Sequence, residues 1–362
     1  MLQIQLVVST QDEEEGRVRS GAMKALAIES PRRMRLTQLP TPDMGAEDVL
    51  LRVEVIGFCG TDLNTYRGIN PLVTYPRIPG HEIGAKIEKC GSKVPEEWKT
   101  GMTVTCSPYT SCGSCSACEK SRSNACKFNQ TLGVQRDGAL TEMIAISWQK
   151  LFHAPHLSLS ECAMIEPLAV GFHAATRGNV LPTDTVLVIG TGVVGLGAIS
   201  KAASMRAARI IAVDLSERKL EIARKAGASD AINVSTENLH ERISILTNGK
   251  GPDLVIEAVG SVGTFVAAVE EVCYAGRVVY VGYSNLPVTY ETKQFLLKEL
   301  VIKGSRGSTP KDFRSVIRAL QSGVYPIKET ITCTVPFDQV PSAMMQWDVD
   351  PSSFAKIQVK VS

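Results

Sequence analysis

Two textures of hydrophobic spacing divide the chain. From Met23 to about Glu166 the apolar residues fall in short runs bounded by Gly and Pro. MKALAI, DVLLRVEVIGF, HEIGAKIEKCG and GMTVTC have the β-branched content and flanking turn formers of strands, with no long helical period between them. From about Asp184 the pattern changes. Strands are predicted at 185–190 (TVLVIG), 209–214 (RIIAVD), 230–234 (DAINV), 253–260 (DLVIEAVG) and 276–283 (GRVVYVGY). Between them the spacing is helical, as in SERKLEIARKAG from Ser216 to Gly227. This alternation predicts a doubly wound parallel sheet with helices on both faces. Beyond Gly304, TPKDFRSVIRALQSG reads as a helix, and FAKIQVKV returns to strand.

With 362 residues the chain has room for two domains. The expected division is an extension or tag over 1–22, a β-rich domain over 23–166 completed by 307–362, and an α/β domain over 167–306. The opening segment MLQIQLVVSTQDEEEGRVRSGA has no positive stretch before its apolar residues, so no signal peptide is expected. A net charge of +2 with 44% hydrophobic and 21% charged residues gives no support for a nucleic-acid or membrane-surface partner. No apolar run is long enough to span a bilayer. Ten cysteines are too sparse for a disulfide scaffold, which points to a reducing cytoplasm and to metal for any clustered thiols.

One such cluster is CGSCSACEKSRSNAC, where Cys112, Cys115, Cys118 and Cys126 lie within fifteen residues. One loop with that spacing can wrap a tetrahedral zinc ion, and four thiolates leave no position for water or substrate. The expected role is structural.

GTGVVGLG follows the strand TVLVI directly and opens a helical stretch. Gly190, Gly192 and Gly195 fit the glycine pattern that turns tightly, admits a pyrophosphate and packs helix on strand, with the helix N-terminus offering N–H donors. Val193 and Val194 lie inside the same turn. Asp214 ends the next strand 19 residues after Gly195, the spacing of an acid that accepts from ribose hydroxyls. That carboxylate would repel a 2′-phosphate and Leu215 follows it, so NAD is favoured over NADP, although Arg218 lies four residues on.

A second set of metal-binding types is dispersed: Cys59, Thr61 and Asp62 in CGTD, His81 and Glu82 in PGHE, and Glu166 in IEP. One thiolate, one imidazole and carboxylates can hold zinc with a position open for an oxygen ligand. From spacing alone, His81 reads equally as a satisfied core histidine and Cys59 as a buried apolar residue.

GFCGTD, PGHE, the four-cysteine lobe, IEPLAVGFHA, VIGTGVVGLG and VVYVGY occur in the order of the zinc-dependent medium-chain dehydrogenases, and the chain from Met23 onward resembles that family. The resemblance implies a chaperonin-10-like (GroES-like) β-rich catalytic domain beside a Rossmann NAD-binding domain. It also implies two zinc ions per chain and a homodimer or homotetramer. Gly260, Val281 and Gly282 join the coenzyme residues on the same ground. Alcohol dehydrogenase holds its catalytic zinc with two cysteines and a histidine, whereas here Glu166 takes the second cysteine's place. That departure resembles the polyol and threonine dehydrogenase branch. By that likeness Cys59, His81 and Glu82 hold zinc, with Glu166 ligating directly or through water. The implied reaction makes the substrate hydroxyl more acidic at zinc and passes hydride to the nicotinamide, with Thr61 taking the proton and Asp62 orienting His81. Many relatives carry His where this chain has Asn64, and Asn does not titrate at physiological pH. Proton release is therefore expected to run through Thr61, the coenzyme ribose and water.

YPRIPGHE, VQRDGALTE and KGSRGSTPKDF resemble sugar-acid and polyol dehydrogenases, especially those of hexonates such as galactonate or gulonate, so the expected substrate is a sugar acid or a polyol. Arg306, after the strand LVIKGS, is placed to grip a substrate carboxylate, and reads equally as a ligand of a backbone carbonyl or of the coenzyme edge. L-Threonine 3-dehydrogenase is the alternative within the class. A non-catalytic NAD-binding structural or sensing protein is the alternative outside it, opposed by the joint presence of Cys59, His81, Glu82 and Glu166.

Overall fold

The computed structural model describes residues 22–351 and 354–361. The predicted extension over 1–22 lies outside the described residues apart from Ala22, the first residue of β1 (Ala22–Ser30). β1 and β2 (Arg33–Pro40) pair as an antiparallel ribbon. β3 (Asp48–Phe58) leads into α1 (Gly60–Arg67), followed by β4 (Glu82–Cys90) and β5 (Thr103–Cys106). Then come α2 (Ser116–Glu119) in the cysteine lobe, β6 (Met143–Ser147) and β7 (Leu151–His153).

α3 (Leu159–Gly178) is a 20-residue helix that starts where only strands and turns were predicted. Its start is fixed by a reciprocal cap between Ser158 and Glu161. Pro167 sits inside it and removes one helical hydrogen bond, which is why the stretch reads as a break.

The coenzyme half alternates as predicted. It comprises β8 (Thr185–Ile189), α4 (Val193–Ser204), β9 (Arg209–Asp214), α5 (Glu217–Lys225), β10 (Asp230–Asn233) and α6 (Leu239–Thr247). It continues with β11 (Leu254–Glu257), α7 (Val262–Glu271), β12 (Arg277–Tyr280), α8 (Lys293–Leu297) and β13 (Val301–Gly304). The six strands are parallel in the order β10-β9-β8-β11-β12-β13. Val186 and Val188 enter one core cluster and Leu187 and Ile189 the other, as expected of a sheet covered on both faces. The order reverses between β8 and β11, and this is where such sheets open a binding crevice.

α9 (Pro310–Gln321) packs Phe313, Val316 and Leu320 into the cluster shared with α3. α10 (Ile327–Thr330), β14 (Cys333–Pro336), α11 (Val340–Val349) and β15 (Ile357–Lys360) complete the chain. β14 and β15 extend the first half's sheet, whose seven strands include the path β14-β15-β3-β4-β5-β7, with β6 also on β3. Registers here set the site. Gly57 of β3 lies opposite Glu82, and Phe58 opposite Ile357. Cys59, His81, Glu82 and Lys356 are thereby delivered to one end of three adjacent strands.

Candidate active site and metal centres

Cys59 caps α1, its Sγ accepting from Thr61 N at 3.3 Å. Cys59 Sγ lies 3.1 Å from His81 Nε2. Ligand atoms of Cys59, Asp62 and His81, and again of His81, Glu82 and Glu166, gather within 4.8 Å of one another. Glu166 arrives from α3, and its buried carboxylate accepts a hydrogen bond from the Tyr109 hydroxyl. Thiol, imidazole and carboxylates converging from three elements fit zinc in chemistry and in spacing.

The polar surroundings depart from expectation in two ways. Asp62 does not reach hydrogen-bonding distance of His81: the ring Nδ1 is 3.8 Å away, while Asp62 accepts from Cys59 N at 2.9 Å and Gly80 N at 3.3 Å. Asp62 is first of all the cap of α1. Glu82 sits among the expected metal ligands, but it has a further partner the sequence did not suggest: both its oxygens accept from Lys356 Nζ, at 2.6 and 2.7 Å, and Lys356 also donates to Phe58 O at 2.8 Å. Lys356 and Tyr109 went unrecognised in the sequence. A lysine in a strand and a tyrosine before a cysteine motif carry no signal of their own.

Charge accumulates in this pocket. Burial alone would lower the His81 imidazole, but the Cys59 thiol, Asp62 and Glu166 outweigh it and hold it well above its ordinary value. Burial pushes the Glu166 carboxyl up; His81 opposes this and Glu82 adds to it. A divalent cation would satisfy all these groups at once.

In the second cluster Cys115 Sγ lies 3.6 Å from Cys118 and 3.8 Å from Cys126, and Cys126 lies 3.6 Å from Cys112. Thiolates about 2.3 Å from a tetrahedral zinc stand about 3.8 Å apart. The fit is close. Main-chain N–H groups of Cys112 and Phe128 approach Cys126 Sγ at 3.4 and 3.3 Å. While burial and the neighbouring Cys115 push the Cys118 thiol up to about 11, N–H groups of Lys127 and Cys118 help bring the Cys115 thiol down to about 6. Such donors favour thiolate, the form that binds metal.

The glycine turn joins β8 to α4. Gly190 has φ +92, and a Cβ on Gly195 would lie 1.8 Å from Gly190 O, so only glycine fits this packing. Gly192 caps α4, and Val193 and Val194 form its first turn. Asp214 ends β9 as predicted, and its carboxylate already accepts from Thr191 N and Oγ1 at 2.9 and 3.0 Å and from Leu215 N and Ser216 N at 2.8 and 3.1 Å. It thus anchors the glycine turn. Arg218 lies exposed on α5. The buried Glu257 accepts from Val259 N, Gly260 N and Thr264 Oγ1, holding the loop after β11.

The Cys59–His81–Glu82–Glu166 pocket and Val194 of the glycine turn border one cleft of about 580 Å³, which the four-cysteine cluster, Gly190, Gly192, Gly195 and Asp214 do not line. Its wall joins Cys59, Thr61, Asn64, His81, Glu82 and Glu166 to Val194, Val259, Val281 and Gly282 at the carboxyl ends of the parallel strands. Arg306 also borders it, with its Nη1 donating to Cys126 O at 3.1 Å. Metal ligands facing a dinucleotide crevice define a metal-dependent dehydrogenase.

Comparisons agree with that class. Residues 45–156 match the alcohol dehydrogenase GroES-like domain and 193–322 the zinc-binding dehydrogenase domain. Sorbitol dehydrogenase of Bacillus subtilis is 34% identical, covering 89% of this chain and 92% of its own length. L-Galactonate-5-dehydrogenase of Escherichia coli is 30% identical, with coverage of 87% and 92%. The crystal structure of the rspB alcohol dehydrogenase of Escherichia coli CFT073, complexed with NADH, superposes with a TM-score of 0.87 at 31% identity, covering 94% of this chain and all of that one. The chain belongs to the zinc-type alcohol dehydrogenase family. It is a zinc-dependent, NAD-linked oxidoreductase acting on alcohols or polyols, with a GroES-like domain and a Rossmann-like parallel sheet.

Proposed function

We propose that this enzyme oxidises a secondary alcohol of a sugar acid, a hexonate such as galactonate or gulonate, with NAD as acceptor. The observation that carries the reading is Arg306. It is the sole Lys or Arg among the residues lining the cleft. One guanidinium matches one carboxylate bidentately. A phosphorylated polyol would bring a dianion to the same single cation. Threonine would bring an ammonium group, while Glu82 is engaged by Lys356 and Glu166 by Tyr109. The amide side chains of Asn64 and Gln135 suit the hydroxyls between, whereas Asn70 and Asn129 are held at both amide ends by the protein.

In this reading Cys59, His81, Glu82 and Glu166 hold the catalytic zinc, and Cys112, Cys115, Cys118 and Cys126 the structural one. Bound zinc supplies the Lewis acidity that makes the substrate hydroxyl more acidic. Thr61 receives that proton and passes it toward the coenzyme ribose and water. Asp214 and the turn from Gly190 to Gly195 hold the adenosine end. Residues 23–166 with 307–362 act as the catalytic domain and 167–306 as the coenzyme domain. The chain works in the reducing cytoplasm, where the four thiols stay available to metal. It assembles as a homodimer or homotetramer, supported by exposed Leu296, Leu297, Val301 and Ile302 beside the outer edge of β13. Steady-state NADH formation with matched hexonates and neutral polyols tests the substrate: preference for hexonates that Arg306→Ala abolishes supports it, and equal use of both classes refutes it.

A further inference from the structure

Away from the metal pocket, three polar side chains from distant parts of the chain form a buried line. Asp312 Oδ2 is 2.9 Å from His173 Nδ1, and His173 Nε2 is 3.1 Å from Asn124 Nδ2. Asp312, His173 and Asn124 are only 5%, 6% and 4% exposed. Asp312, His173 and the Asn124 amide nitrogen all find partners at this depth, whereas Asn124 Oδ1 is buried without one. Asp312 also accepts from Thr309 N at 2.9 Å and Thr309 Oγ1 at 2.6 Å, which fixes it at the start of α9.

The directions of these bonds follow from the two ends of the line. Asp312 only accepts, so His173 Nδ1 carries a proton; Arg306 O also only accepts, so the Asn124 NH₂ faces it and the adjacent Nε2, which is thereby the acceptor. One hydrogen of Asn124 thus goes to the ring and the second to Arg306 O at 2.8 Å. The contact is reciprocal. Arg306 Nη1 donates to Cys126 O at 3.1 Å, two residues from Asn124 in the cysteine lobe.

We propose that Asn124 and His173, aligned by Asp312, are positioning residues for Arg306, so that the four-cysteine lobe forms the back of the substrate-carboxylate grip. Rotation of the Asn124 amide would set oxygen against the Nε2 lone pair and against Arg306 O. The line thus selects one amide orientation, and that orientation ties the loop of Arg306 to the lobe. The functional side of this inference rests on Arg306 gripping a carboxylate; the positional side does not.

The test uses the zinc-loaded enzyme with NAD and two variants. His173→Phe keeps a ring and removes both nitrogens, and Asn124→Asp keeps the shape while replacing the donor with an acceptor. Hydrogen–deuterium exchange should rise about tenfold over 305–308 in either variant, with the strands of the parallel sheet unchanged. KM for a hexonate should rise about tenfold, while kcat and KM for a neutral polyol stay within about twofold. Unchanged exchange over 305–308 in Asn124→Asp overturns the positioning role. So does an equal rise in KM for both substrate classes. If the unaltered enzyme ignores hexonates, the carboxylate reading fails, and exchange over 305–308 still decides the relay.

Discussion

Lys356 Nζ sits 2.6 and 2.7 Å from the two carboxylate oxygens of Glu82, with the lysine side chain 3% exposed and the glutamate wholly buried. A charge removed from water this completely requires a partner of opposite sign. The pair neutralises one of the carboxylates that face the metal pocket, and it pins the first residue of β4 to the residue before β15. In protein freed of the open-site metal, Lys356→Met leaves Glu82 buried and unpaired. It should cost about 3 kcal/mol of folding stability, read as a lowered denaturation midpoint, whereas Lys356→Arg recovers much of that loss. A midpoint unchanged in Lys356→Met would mean that Glu82 has another counter-charge.

The two metal clusters should respond differently to chelation. Cys112, Cys115, Cys118 and Cys126 supply all four ligands of a tetrahedral site, while the Cys59–His81–Glu82–Glu166 pocket opens on the cleft. Brief treatment with a strong chelator is expected to abolish turnover while one zinc per chain stays bound, and added zinc restores activity. Metal analysis of the desalted protein reads this directly. Parallel loss of both ions would show the lobe to be as open as the pocket.

Asp214 ties the tip of β9 to Thr191 of the glycine turn. Asp214→Ala removes the anchor and, with it, the proposed ribose acceptor. KM for NAD should rise by about ten- to a hundredfold, with a smaller change for NADP, whose 2′-phosphate no longer meets a carboxylate. Initial rates with the two coenzymes at a fixed alcohol concentration check it; an equal rise for both would leave Asp214 as a loop anchor only.

Asn64 lines the cleft on the helix that carries Thr61. Asn64→His places a group that ionises near about 6.5 beside the expected proton route. The kcat profile should gain an ionisation in that region, with faster turnover above it than below, because the neutral imidazole is the form that accepts a proton. A profile superimposable on that of the unaltered enzyme would remove Asn64 from the route.

The parallel sheet was the most legible part of the chain. RIIAVD is β9 residue for residue, because strands buried on both faces must be apolar throughout and are cut sharply by the turns that follow. The four cysteines were legible for a different reason: a closed zinc shell built from one loop leaves its spacing in the sequence. α1 escaped notice because its eight residues bury only Leu63 and Tyr66 among their apolar side chains. α3 was hidden by Pro167, whose lost hydrogen bond is tolerated within a well-packed helix. Tertiary pairs leave no local trace. Lys356 meets Glu82 across 274 residues and His173 meets Asp312 across 139, and each reads alone as an ordinary polar residue. Asp62 was expected to orient His81, but it stands 3.8 Å from the ring and its donors are the backbone N–H groups of Cys59 and Gly80.

The most direct test is NADH formation with a panel of hexonates, neutral polyols and threonine, each with and without a chelator. A hexonate signal that chelation abolishes and that Arg306→Ala weakens at least tenfold in kcat/KM is the expected result. A chelator-sensitive signal confined to threonine or to neutral polyols would contradict the carboxylate grip, and a signal indifferent to the chelator would contradict the role of the open metal site.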